Sequence, residues 1–210
     1  MDGSGGLFPY APHLRSALEE THPHRIWQIG HLGMPGWTAA QMLQSADDPL
    51  YGLRHKLKQV KDPPISLVII LAGTNDLGYA YQSAIEDGTL DVVSSIEALH
   101  HMAHEQKVAT LAIGIPTSRF QQQVSMARDL RMSINDHLSR WAKTTEGASY
   151  VSFPSNSVPD PEERPEQDEF WSVDGLHLTA KGYAAMGKAL AETVEEVLNE
   201  SDKQKRNVDL

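Results

Sequence analysis

Two continuous apolar runs, residues 65–71 (ISLVIIL) and 108–113 (VATLAI), constrain the fold of this chain more than any other feature. Both are short and rich in aliphatic residues, and prolines punctuate them: Pro63-Pro64 before the first and Pro116 after the second. Runs of this kind, without alternation, read as strands buried on both faces, as in parallel sheets covered by helices. Weaker strand patterns lie at 25–29 and 149–153.

Helical periodicity fills the spaces between. Residues 10–20 carry Leu14, Ala17 and Leu18 on one face, with Pro9 suited to a first turn. Residues 37–43, 50–60 and 124–145 read as helices, and 89–106 has an inner stripe of Val92, Ile96, Leu99 and Ala103. A last helix is expected over 179–199 with Thr179 as its cap, followed by a polar, fraying tail from Ser201. The alternation predicts an α/β fold with a parallel sheet, in one domain over residues 1–200 with a tail at 201–210.

Bulk properties exclude several function classes. Acidic residues outnumber basic ones 28 to 18, a formal charge of −10 that repels nucleic-acid backbones and anionic lipid. The longest apolar run is far too short to cross a membrane. Zero cysteines exclude disulfides and thiolate chemistry. Nothing in the sequence directs export, so a cytoplasmic location is the default expectation.

In open parallel sheets, ligands bind outside the carboxyl ends of the strands. Three segments therefore matter. After the strand at 25–29 comes Gly30-His31-Leu32-Gly33-Met34-Pro35-Gly36, three glycines and a proline in seven residues. It is either a plain strand-to-helix turn or a loop whose backbone N–H groups a ligand can approach closely. After the strand at 65–71 comes Ala72-Gly73-Thr74-Asn75-Asp76. Here an Asx-type turn competes with an amide donor fixed for a developing negative charge. The third segment, Ser172-Val173-Asp174-Gly175-Leu176-His177, sets carboxylate and imidazole three apart, so one helical turn would bring them together. Either Asp174 caps a helix beside an incidental His177, or it orients a general base.

Taken in order and at this spacing, the three segments resemble the SGNH (GDSL-type) hydrolases. The similarity runs from Phe8-Pro9-Tyr10-Ala11 to the last helix. The resemblance implies a flavodoxin-like three-layer α/β/α fold with sheet order 2-1-3-4-5 and hydrolysis of a small-molecule carboxylic ester. It implies a backbone N–H from Gly36 and a side-chain N–H from Asn75 as oxyanion donors. His177 would be the base, Asp174 its orienting partner, and Gly73 the residue that permits the turn aiming Asn75, with Asp76 in support. No metal or organic cofactor is implied.

The family's first motif, Gly-Asp-Ser at the end of the central first strand, has no counterpart here. Ser4 in Asp2-Gly3-Ser4-Gly5-Gly6 has only three residues before it and is a poor nucleophile, because orientation carries much of the catalysis. The chain is therefore expected to begin just downstream of the serine, without the first strand, and to be poorly stable and inactive as it stands. A non-catalytic binding or regulatory descendant is the competing expectation. A nucleotide-binding role lacks both a Walker lysine and a Gly-x-Gly-x-x-Gly after a strand.

Three further features are weighed. His100 and His104, one turn apart, are expected on a solvated helix face rather than at a metal. The acidic, proline-rich stretch at 159–169 is expected as an exposed loop. Phe170 and Trp171 fit an acyl pocket or the core equally well.

Overall fold

The two apolar runs form neighbouring strands of a parallel sheet. The structure, a computed structural model, describes residues 9–83, 89–161 and 168–208. Helices α1 (Ala11–Thr21), α2 (Ala39–Gln44) and α3 (Leu53–Gln59) precede strand β1 (Leu67–Ile70). Helices α4 (Thr74–Gln82) and α5 (Thr89–His104) lead to β2 (Ala109–Ile113), and α6 (Arg119–Gln123) and α7 (Ser125–Thr144) lead to β3 (Ala148–Val151). Helices α8 (Ala180–Ala189) and α9 (Ala191–Val208) close the chain. These elements pack as two compact units, one of Met1–Leu32, Pro116–Ser125 and Pro154–Glu195, the other of Gly33–Ile115, Met126–Phe153 and Glu196–Leu210.

The second unit holds the sheet, in order β1-β2-β3 and parallel throughout. Leu111 pairs with Ile69 on one side and Ser149 on the other. Every residue of β2 is buried, whereas those of β1 and β3 are only partly so. The run at 65–71, expected to be buried on both faces, is an edge among the described residues, and an edge strand is covered less than a central one.

Helix α5 packs on β1 and β2 through the predicted stripe, with Val92, Ile96, Leu99 and Ala103 all buried. Met102, Ala103 and Val108 also join Ala46 and Leu57 in one apolar cluster with Leu43, Leu53 and Val68. Helix α7 is tied to α5 by His137 Nε2 to Glu97 Oε1 at 2.9 Å. It is tied to the end of β2 by Asn135, whose amide both accepts from Ile115 N and donates to Ile115 O.

The same unit corrects the reading of the histidine-rich turn. His100 is 0% exposed, with its ring 5.1 Å from that of Trp141, and neither ring nitrogen has a protein partner among the described residues. Burial first, then the nearby rings of His104 and His101, depress its pKa from 6.5 to about 3. His104 is also held below its ordinary value, chiefly by burial, and its Nε2 meets Thr110 Oγ1 at 2.8 Å. The inner face of α5 is wider than the aliphatic stripe suggested, and one imidazole fills it as a neutral, aromatic-packed group.

In the first unit α1 lies against α8. Gly187 makes the approach close, since a Cβ there would fall 2.5 Å from Tyr10 O. Thr179 caps α8 as expected, its side chain accepting from Gly182 N at 3.2 Å. The proline in the first turn of α1 is Pro12 rather than Pro9. The expected strand at 25–29 does not form a ladder among the described residues: Ile26 is 87% exposed, while Trp27 is buried beneath the Arg25 guanidinium. Its weak alternation alone, with no described strand beside it, does not sustain pairing.

The last helix is broken at Leu190, although Leu190 N–H to Met186 O and Val194 N–H to Leu190 O keep the ladder running through the junction. The segment from Ser201, expected to fray, continues α9 to Val208.

Candidate active site

The Asp174–His177 segment lies in the first unit and is a tight turn, not the helical turn its spacing suggested. Trp171 and Leu178 bridge at its base, and Ser172 N–H donates to His177 O at 2.8 Å. Within it, Asp174 divides its carboxylate between two tasks. Oδ1 accepts from the backbone N–H groups of Leu176 and His177 at 2.9 and 3.0 Å, closing an Asx-type turn. Oδ2 meets His177 Nδ1 at 2.8 Å. The carboxylate thus closes a turn rather than the helix end that the sequence offered, and meets the imidazole with its other oxygen.

Burial alone would raise the Asp174 carboxyl. The hydrogen bonds from the His177 ring and the two backbone amides, with the charge of His177, outweigh it and hold the group below its ordinary value. Asp174 thus stays ionised through the neutral range and favours the His177 tautomer protonated at Nδ1. In the neutral ring with that tautomer, Nε2 carries the lone pair. The side chains of His177 and Asp174 are 44% and 43% exposed, so the pair meets solvent.

The other predicted residues lie in the second unit. Gly73 has φ +101° and ends the β1 connection as the N-cap of α4, where a Cβ would strike Ile115 Cδ1 at 2.6 Å. Only glycine fits both conditions. Asn75 and Asp76 are consequently in the first turn of a helix, one that the sequence reading missed because the Gly-Thr-Asn-Asp stretch reads as a turn.

From there both side chains reach the glycine-rich loop. Asn75 Nδ2 donates to Trp37 O at 2.9 Å, which leaves its second N–H for another acceptor. The Asp76 carboxylate accepts from Ala39 N–H through Oδ1 at 3.2 Å and Oδ2 at 3.0 Å. It thereby satisfies an orphan donor at the start of α2 alongside the Thr38–Gln41 capping box. Asp76 is 6% exposed, and burial, opposed by the Ala39 amide and its own, raises its pKa. Gly36 has φ +77° and is exposed, and its N–H makes no hydrogen bond among the described residues.

Trp171 is 2% exposed with Nε1 on Pro159 O at 2.6 Å, which makes it a core residue, whereas Phe170 is half-buried beneath Lys181. Ser4 and residues 162–167 of the acidic stretch lie outside the described residues. Among the described residues no group of three or more acidic and histidine side chains could hold a metal ion, and no helix is long and apolar enough to cross a membrane.

Comparison with known proteins gives this arrangement a family. Residues 1–185 match the family model of the GDSL-like lipases/acylhydrolases, and the chain belongs to that family. Several solved structures share its fold. A GDSL-like lipase from Bacteroides thetaiotaomicron is 19% identical, with 87% of this chain and 84% of that one covered at a TM-score of 0.56. An acetyl esterase, solved as a serine-to-alanine variant with acetate ion, is 13% identical over 91% and 92% at 0.59. A carbohydrate esterase of family 3 from Talaromyces cellulolyticus is 12% identical over 91% and 92% at 0.57. No curated protein matches. The family and these neighbours define an ester hydrolase of α/β fold with a small parallel sheet.

Proposed function

We propose that this protein serves carboxylic-ester hydrolysis by a Ser-His-Asp mechanism on a small-molecule ester. The observation that carries the reading is the 2.8 Å contact of Asp174 Oδ2 with His177 Nδ1, in a turn that the same carboxylate closes. In the reaction, His177 Nε2 takes the proton of a serine hydroxyl as its oxygen attacks the ester carbonyl, and Asp174 stabilises the imidazolium. The proton then goes to the leaving alcohol. A water, deprotonated in turn by His177, releases the acid from the acyl-enzyme.

Asn75, with one N–H spare, and the Gly36 N–H are the proposed oxyanion donors. Asp76 would act by holding the Gly36–Ala39 loop against the start of α4. The exposed Asp174–His177 pair suits a substrate arriving from solvent. Two of the structural neighbours are esterases, one an acetyl esterase and one a carbohydrate esterase, and short acyl groups are the first substrates to try.

No serine is proposed as the nucleophile, since Gly-Asp-Ser does not occur in the sequence. We therefore infer that this sequence turns over no ester by itself. That same observation favours a second reading, a non-catalytic binding or regulatory protein. The two separate on p-nitrophenyl acetate: the chain extended at its N-terminus by a strand ending in Gly-Asp-Ser hydrolyses it under the first reading, and binds without hydrolysis under the second.

A further inference from the structure

Helix α6 was not anticipated from the sequence, and its first residue lies against the turn that carries Asp174 and His177. Arg119 N–H donates to Gly175 O at 3.0 Å, and its guanidinium Nη1 donates to Val173 O at 2.8 Å. The two acceptors are the residues on either side of Asp174. Gly175 has φ +61°, and a Cβ there would fall 2.6 Å from Arg119 Cβ and 2.9 Å from both Cζ and Nη1. The whole side chain therefore lies along the space a side chain at 175 would need. The turn is gripped from one side by a planar cation and from within by the Asp174 carboxylate.

This has a consequence for the ring. His177 Nδ1 is aimed by Asp174 Oδ2, and the direction of that carboxylate depends on the main chain at 173–175. A main chain free to rotate there would let Asp174 turn away while the rest of the unit stayed folded. We propose that Arg119 is a positioning residue: its guanidinium fixes the Val173 carbonyl and its side chain packs on Gly175, and together these hold Asp174 in the orientation that sets the His177 tautomer. In this role Arg119 acts through Asp174. The role rests on the reading of Asp174 and His177 as orienting partner and base. Arginine suits it better than lysine, because a rigid planar fork both donates to Val173 O and packs close to Gly175.

The test needs no turnover. Long-range ¹⁵N correlation spectra of the histidine rings report the His177 tautomer, and carboxyl ¹³C shifts followed with pH report Asp174. The wild type is expected to show His177 protonated at Nδ1 and a depressed Asp174 midpoint. Arg119→Ala should lose the Nδ1–H signature and move the Asp174 midpoint up toward the ordinary aspartate value, with the amide spectrum of β2 unchanged. Arg119→Lys should restore part of both, and Gly175→Ala, which forces the turn away from Arg119, should resemble Arg119→Ala.

An Arg119→Ala protein that keeps the wild-type tautomer and midpoint overturns the proposal and leaves the dyad standing. If Arg119→Ala does not fold, Arg119→Lys and Gly175→Ala decide: a weakened signature supports the role, and a wild-type signature in both overturns it. A wild type without the Nδ1–H tautomer refutes the dyad itself, and the role of Arg119 with it.

Discussion

Replacing His100 tests how a fully buried imidazole couples this fold to pH. In the folded chain its pKa is about 3, against 6.5 for an ordinary histidine. The folded state therefore binds fewer protons than the unfolded state at every pH between these values. Stability is fully present above pH 6.5 and falls as the pH drops below it. From 6.5 down to pH 5 is about 1.5 units at 1.36 kcal/mol each, or about 2 kcal/mol lost through this one group. His104, shifted in the same direction, adds to it.

Carboxylates titrate in the same range, so the comparison must be a difference. Urea unfolding at pH 7 and pH 5 gives a stability loss for the wild type and another for His100→Leu, which removes the titrating ring and two buried nitrogens that have no partner among the described residues. The wild type should lose about 2 kcal/mol more than the variant over that interval. Parallel losses in the two proteins would refute the argument and show that His100 takes up its proton without unfolding.

Other positions give sharper local tests. Asp76→Ala should cost about 1–3 kcal/mol in urea unfolding because Ala39 N–H loses its acceptor. Asp76→Asn keeps one acceptor and removes a buried charge, and should be near neutral at pH 7. Gly73→Ala should destabilise by about 2 kcal/mol or more, measured the same way, since it combines a left-handed φ with a 2.6 Å clash on Ile115. Thr179→Ala should cost about 1 kcal/mol through the lost cap of α8, with a lowered thermal midpoint as the readout.

The parts of the fold legible in sequence were those governed by period and composition. The stripe from Val92 to Ala103 and the run at 108–113 needed only burial to be read. What escaped depends on tertiary context. That the run at 65–71 is less buried than the run at 108–113 escaped, because burial follows position in the sheet, which the runs do not encode. Helix α4 was hidden by turn-forming residues that here start a helix behind a left-handed glycine. His100 was hidden by its polarity, since nothing local announces that Trp141 will cover it.

For the candidate site, Asp174 and His177 were legible from their spacing, and the structure brings them together through a turn instead of a helix. Gly73 was expected to permit a turn that aims Asn75, and it stands with φ +101° at the N-cap of α4. The reach of Asn75 and Asp76 to Trp37 and Ala39 was not, because it joins segments more than thirty residues apart. Arg119 carries no motif at all and emerges only from its contacts with Val173 and Gly175.

The central proposal is that His177 acts as the base of ester hydrolysis and that, without a Gly-Asp-Ser in the sequence, the reaction needs that motif restored. Release of p-nitrophenol from p-nitrophenyl acetate tests it most directly, measured for this chain and for the same chain extended by a strand ending in Gly-Asp-Ser, each with and without His177→Ala. The account predicts background rates for the chain alone. It predicts turnover for the extended chain, reduced by a factor of about 10⁴ or more by His177→Ala. Turnover by the unextended chain that His177→Ala abolishes, or turnover by the extended chain that His177→Ala leaves intact, would contradict it.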